Sequence, residues 1–280
     1  MQVIFACLPL TMNKNDPLTA VRCFLLDMDG TFYLGERLIE GALKFINVLN
    51  QRGIEYLFLT NNSSKDSRGY AQKITRLGLP VSHHKIMTSG EATAMHLQHQ
   101  KPGARTYLVG TAALENEVTA HGLVLTDEAP DFAVLGFDTT LTYAKLWKLC
   151  DLVRAGIPYI ATHPDYNCPT ETGFMPDIGA TIAFVKASTG REPDLIVGKP
   201  NRLFAEKAAE RTGIPLAAMC MIGDRLYTDI ALGEQAGIPT ILVLSGETQA
   251  EEVEASLHRP SYIFKNLGEI ADHLTSIYSL

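Results

Sequence analysis

Short apolar runs alternate with longer amphipathic stretches along this chain. Residues 21–26, 54–59, 85–88, 194–197, 219–222 and 240–244 are compact and mostly apolar, without polar alternation. Such runs predict strands buried on both faces, as in a parallel sheet. Between them the apolar positions recur at helical spacing. Residues 40–52 place Ala42, Phe45, Ile46 and Leu49 on one face, with Gly53 as a stop. Further helices are predicted at 66–77, 90–100, 202–211, 229–236 and 267–276, with a last short strand at 262–263. Strand–helix alternation of this kind predicts an α/β fold built on a doubly wound parallel sheet.

Polar residues stand at four of the strand ends. The first run stops at Asp27-Met28-Asp29-Gly30-Thr31. In open α/β sheets ligands bind outside the carboxyl ends of the strands. Two carboxylates spaced i, i+2 in an extended chain point the same way and repel unless a cation or proton intervenes. A hard divalent ion, Mg²⁺, suits such an oxygen pair and bridges readily to phosphate. The second run ends in Thr60-Asn61-Asn62-Ser63-Ser64 before a helix, a cradle of small donors where helix amides favour an anion. Lys199 follows the 194–197 run, and Asp224 and Asp229 follow the 219–222 run. Carboxylates, small donors and one lysine gathered on one edge suit phosphoryl transfer, where catalysis is mostly positioning and charge stabilisation. Short apolar runs around Gly35-Glu36 predict a small hairpin, or flap, beside this edge.

Lys101-Pro102-Gly103 breaks the pattern, and from there to about residue 191 the alternation restarts. Strands are predicted at 105–109, 132–135 and 158–161, and helices at 112–121, 142–155 and 179–188. This block reads as an α/β unit of its own. Its polar, proline-bearing loop at 163–173 carries His163, Asp165 and Cys168, and such loops are often functional. His163 reads first as a surface or loop residue, and with Cys168 as a candidate substrate contact. Trp147 and its aromatic neighbours read most simply as core.

Composition narrows the field. With 46% hydrophobic and 20% charged residues in 280, the chain is an ordinary globular protein of one or two domains. A net charge of −7 without a Lys/Arg run argues against a nucleic-acid surface. Five scattered cysteines without a C-x-x-C pair read as reduced thiols of a cytoplasmic protein. No stretch reaches membrane-spanning length. Residues 1–17 are expected to be a disordered leader or extended start; a weak signal peptide is the alternative, although the basic n-region is missing. A nucleotide-cofactor oxidoreductase is disfavoured, because no G-x-G-x-x-G follows the first strand.

The four strand-end strings occur in the order of the four motifs of the haloacid dehalogenase (HAD) superfamily, which the chain resembles over almost its whole length after about residue 20. Leu59 to Ser64, Val197-Gly198-Lys199-Pro200 and Gly223 to Ile230 are similar to the NagD-like, p-nitrophenyl phosphatase-type branch. The resemblance implies a HAD-like Rossmannoid core at 18–100 and 192–280, with an inserted α/β cap of the C2 type at 101–191. It implies a Mg²⁺-dependent phosphatase of small phosphomonoesters (nucleotides, sugar phosphates, phosphoglycolate, p-nitrophenyl phosphate) working through an aspartyl-phosphate. Asp27 would be nucleophile and metal ligand. Asp29 would be general acid and base, with its main-chain carbonyl on the metal. Thr60 and Asn61, with Gly30 and Asn62, would hold the substrate, and Lys199 would balance charge. Asp224 would bind Mg²⁺, supported by Asp229. The partner is then a small phosphorylated metabolite, with neither nucleic acid nor membrane, and family analogy allows a homodimer through the cap. A non-catalytic binding module of the same fold is the alternative reading. Loss of Asp29 would cost such a module nothing, so the intact pair weighs against it. A phosphotransferase is a further reading; a phosphonatase, which uses a lysine from a small helical cap, is disfavoured by the α/β insertion after the second motif.

Overall fold

The computed structural model describes residues 16–170 and 173–278. The chain enters through a short 3-10 turn, Pro17–Ala20, capped by Asp16, so residues 16 and 17 are ordered structure; the rest of the expected leader, with Cys7, lies outside the described residues. It then forms β1 (Cys23–Leu26), a small antiparallel hairpin of β2 (Tyr33–Leu34) and β3 (Arg37–Leu38), β4 (Glu55–Thr60) and β5 (Ile86–Thr88). The hairpin is the flap that its apolar runs predicted.

A second series follows: β6 (Arg105–Val109), β7 (Val124–Leu125), β8 (Phe132–Leu135) and β9 (Tyr159–Ala161), then a hairpin of β10 (Asn167–Thr170) and β11 (Gly173–Pro176), then β12 (Leu195–Ile196). The chain returns through β13 (Met219–Gly223), β14 (Thr240–Val243) and β15 (Tyr262–Phe264). Two parallel sheets result, ordered β15-β14-β13-β1-β4-β5 and β12-β9-β8-β6-β7.

β1 lies inside the first sheet, with Leu26 level with Ile222 on one side and Phe58 on the other. All four of its residues are fully buried. Phe24 and Leu26 pack with Phe45, Ile46 and Leu49 of the helix Ala42–Arg52 and with Ile270 and Leu274 of the helix Leu267–Tyr278. Cys23 and Leu25 point to the other face, against Leu97, Phe204 and Ala208 of the helices Ser89–Gln100 and Arg202–Thr212. Alternate residues thus serve opposite helix layers, which is why the run is apolar without a break. Gly53 closes the first helix at φ 64, the left-handed conformation that favours glycine at this position.

Two expectations are corrected. The run at 194–197 was expected to be a strand of the first sheet. Instead Leu195 and Ile196 pair with Ile160 and Ala161 in the second. The run is also only half-buried at Leu195 and Ile196, and an apolar run does not state in which sheet it pairs. Trp147 and Tyr143 were expected in a core; they stand 62% and 74% exposed, one turn apart on the helix Tyr143–Arg154. That helix buries Leu149, Cys150 and Val153 instead. The loop expected at 163–173 also gains order as the β10–β11 hairpin.

Candidate active site

The parallel register brings the strand ends together. Asp27 follows β1, Thr60 ends β4, and Asp224 follows β13, all at one edge of the sheet. Lys199 reaches the same place from the segment after β12. Its ammonium donates to Asp27 Oδ1 and, at 2.7 Å, to Asp229 Oδ1. Lys199 is almost wholly buried. Burial works against its charge, but the Asp229 and Asp27 carboxylates outweigh that and push its pKa up.

Carboxylate oxygens of Asp27, Asp224 and Asp229 lie within 4.8 Å of one another. Burial, and then the charges of Asp27 and Asp229, push Asp224 up to about 8. Burial raises Asp229 to about 6, although Lys199 opposes it. Three carboxylates, two of them buried, with one ammonium leave an excess of negative charge, and the donor set is all oxygen. Both features fit a hard divalent cation such as Mg²⁺. The carboxylate of Asp29 stands outside this cluster. It accepts from the Tyr33 hydroxyl at 3.3 Å, and burial raises its pKa.

The backbone has been fitted closely around Asp224. Gly30 adopts φ +87, and a Cβ there would strike the Asp224 carboxylate, as would one at Gly246. Thr31 Oγ1 donates to Asp224 Oδ1 at 3.3 Å, and the Glu247 N–H to Oδ2 at 2.7 Å. Gly30 spends its N–H on Tyr33 O and its carbonyl on Ser245 Oγ. The Arg225 N–H donates to Asp229 Oδ2 at 3.1 Å, and its guanidinium pairs with Glu247 at 2.9 Å.

Thr60, Asn61 and Asn62 line the same narrow pocket as Asp27, Asp29 and Lys199. The side chain of Asn61 is fully engaged. Its oxygen accepts from Lys199 N at 2.8 Å; its amide donates to Lys199 O at 3.0 Å and to Asp165 Oδ1 at 3.1 Å. Asn61 therefore braces Lys199 and ties the first sheet's edge to the loop after β9. Asn62 Oδ1 accepts from Ser64, and its amide donates to Cys168 Sγ at 3.6 Å. Asp165, Asn167, Cys168 and Asp177 close the pocket from above. His163, read first as a surface or loop residue, is fully buried beneath them. Burial depresses its pKa to about 4, with Nε2 3.5 Å from Asp177. Asp177 is itself pushed up to about 7 by burial.

All nine residues singled out from the sequence thus meet at this edge. The residues missed were Thr31, Glu247 and Arg225, which hold Asp224 and Asp229, Ser245, which holds the Gly30 carbonyl, and Asp177. Ser245 to Glu247 follow β14, so the rule that polar residues at strand ends matter applied to them equally. Asp177 carried no such signal.

Two family models match, a haloacid dehalogenase-like hydrolase over residues 24–124 and a HAD-hydrolase-like model over residues 196–270. The acid sugar phosphatase of Staphylococcus saprophyticus is 39% identical over 254 residues, covering 90% of this chain and 98% of that protein. The solved structure of a 4-nitrophenylphosphatase from Thermotoga maritima superposes with a TM-score of 0.89 at 48% identity, covering 92% of this chain and 98% of that one. That of a glycerol phosphate phosphatase from Mycobacterium tuberculosis, in complex with magnesium, has a TM-score of 0.82 at 34% identity, covering 89% and 77%.

Proposed function

This chain belongs to the haloacid dehalogenase-like hydrolases, and from that footing we infer that it is a Mg²⁺-dependent phosphatase of small phosphomonoesters. The observation that carries the reading is the Asp27–Lys199–Asp229 arrangement beside Asp224 at the end of β1, with Asp29 held apart from the carboxylate cluster. Asp27 Oδ attacks phosphorus as the bond to the alcohol oxygen breaks, and Asp29 gives that oxygen its proton. The product is an aspartyl-phosphate and a free alcohol. Asp29, now ionised, takes a proton from water. The water oxygen attacks phosphorus, the bond to Asp27 breaks, and phosphate leaves with Asp27 restored.

Desolvation raises the pKa of Asp29 against the opposing charge of Lys73, the direction that its first role requires. Thr60 and the backbone amide of Asn61 would hold the transferring oxygens, with the Asn62 N–H fixing Thr60 Oγ1 at 3.1 Å, and Lys199 balances the charge of Asp27 and the phosphoryl group. Gly30 gives the space in which phosphate and Asp224 approach. Asp27, Asp224 and the Asp29 carbonyl, with Asp229 in support, would hold Mg²⁺, which would screen the anions from each other and stabilise transition-state charge.

The second sheet, from about residue 101 to 196, is read as a cap over the site, with the core at 18–100 and from about 197 onward. The pairing of β12 with β9 supports a boundary near 196 in place of the expected 191. Tyr143 and Trp147, exposed on one helix face, support a homodimer through this cap, which light scattering before and after Trp147→Glu would test. The buried free thiols of Cys23, Cys150 and Cys220 support a cytoplasmic location. No helix of the described residues is long and apolar enough to cross a membrane.

The test is phosphate release from a panel of small phosphomonoesters, with and without Mg²⁺, for wild type, Asp27→Asn and Asp29→Asn. Mg²⁺-dependent turnover lost in either variant is the expected result. Turnover that survives Asp27→Asn sinks the aspartyl-phosphate route. Mg²⁺ binding without turnover of any ester favours the binding-module reading.

A further inference from the structure

Two large cavities open from the narrow pocket, on either side of Arg225. One, of about 1040 Å³, is walled by Tyr166, Tyr227 and the segment at 193–201. The other, of about 880 Å³, is walled by the flap around Leu34, by Lys73 and by Phe174 of the β10–β11 hairpin. Asp29 lines only the second. A general acid must reach the oxygen that departs, so the alcohol side of the ester lies where Asp29 opens, between flap and hairpin.

That cavity has a distinct charge at its wall. The Lys73 ammonium lies 3.8 Å above the Tyr33 ring, and the same ring's hydroxyl is on Asp29. Lys73 is half-buried and forms no ion pair among the described residues, although its charge is felt by the nearby Asp29 carboxyl. Its position is set from two sides: the helix Ser67–Arg76 that carries it and the Tyr33 ring of the flap beneath it. Arg37 lines the same wall from β3. Of the carboxylates on this wall, Asp29 feels the charge of Lys73 without forming an ion pair with it, Asp224 belongs to the carboxylate cluster, Glu247 pairs with Arg225, and Glu36 stands exposed at the flap turn.

We propose that Lys73 is a specificity-determining residue that recognises a second anionic group on the leaving alcohol. The favoured substrates are phosphomonoesters whose alcohol also carries a carboxylate or a further phosphate. The inference rests on the phosphatase reading above and adds the substrate class. A cation held on an aromatic face, partly out of water, attracts an anion more strongly than a fully solvated lysine does, and a carboxylate or phosphate replaces the ion pair that Lys73 lacks.

The experiment compares kcat/KM for matched esters in Mg²⁺: 2-phosphoglycolate against ethyl phosphate, and glucose 1,6-bisphosphate against glucose 6-phosphate. The first pair tests the carboxylate and the second the further phosphate. Wild type is expected to favour the anionic member of at least one pair by about tenfold, with the preference shrinking as salt rises. Lys73→Met, which keeps the stem over Tyr33, should cut that ratio about tenfold, and Lys73→Arg should restore most of it. A wild type that hydrolyses the neutral esters without preference overturns the assignment and leaves the phosphatase reading intact. A Lys73→Met variant that slows both members equally also overturns it, since that is loss of structure and not of recognition. Failure to turn over any ester with Mg²⁺ overturns both readings.

Discussion

Lys199 Nζ donates to Asp229 Oδ1 at 2.7 Å, and the two side chains are the most deeply buried ion pair of the site. They arrive from different directions, one from the segment after the second sheet and one from the turn after β13. Breaking a buried pair by removing one partner leaves an uncompensated charge. Lys199→Ala should therefore lower kcat by roughly 10²- to 10³-fold, the scale on which one preorganised charge-stabilising group acts. Phosphate release under saturating Mg²⁺ checks it. A loss confined to KM would show that Lys199 only binds substrate.

Asp224 should reveal itself through stability as well as rate. Its carboxylate is raised to about 8 by burial and by Asp27 and Asp229. Between an ordinary carboxylate pKa and that value the unfolded chain has released a proton the folded one keeps, so stability falls as pH rises through this window. Without metal at pH 8, Asp224→Asn is expected to melt higher than wild type. With Mg²⁺ the order should reverse, because only wild type gains binding free energy. Thermal melts with chelator and with Mg²⁺ measure both. A Mg²⁺-induced rise that persists in Asp224→Asn would place the ion elsewhere.

Gly30 offers a backbone test. An alanine there must hold φ near +87 and push its Cβ against Asp224. The expected result is Mg²⁺ affinity about 10- to 100-fold weaker, the usual scale for disturbing groups that position metal ligands. Calorimetric titration of Gly30→Ala decides it, and unchanged affinity would remove Asp224 from the metal's ligands.

Glu117 lies away from the chemistry, where the helix Ala112–Ala120 meets the first sheet. It accepts from Thr88 Oγ1 at 2.5 Å and from Ser67 N at 3.3 Å, yet burial still raises it to about 7. The unfolded chain loses this proton near pH 4.5 and the folded one near 7, so stability declines as pH rises between them and stays lower above. Glu117→Gln should therefore stabilise the protein at pH 8 by about 1–3 kcal/mol and change little at pH 4.5. Denaturant unfolding at the two pH values tests this. An equal effect at both would mean that the hydrogen bonds, and not the charge, dominate.

The sequence by itself determined the order of the strands and what stands at their ends. A strand buried on both faces must be apolar throughout, so Cys23 to Leu26 could be read directly, and the polar residue that ends such a run must lie at the sheet's edge. Asp27, Asp29, Thr60 and Asp224 were visible for that reason, and Lys199 by the same rule although the run before it belongs to the second sheet. Only the tertiary structure decided what depends on pairing and on side chains meeting across the chain. That Leu195 and Ile196 pair in the second sheet was not legible, because an apolar run does not name its partner strand. Trp147 faced outward because Leu149, Cys150 and Val153 already filled the inner face of its helix. The grip of Asn61 on Lys199 spans 138 residues. The approach of Lys73 to the ring that holds Asp29 joins two helical turns of one segment to a flap forty residues earlier. No local pattern encodes such contacts, since they exist only once the layers have packed.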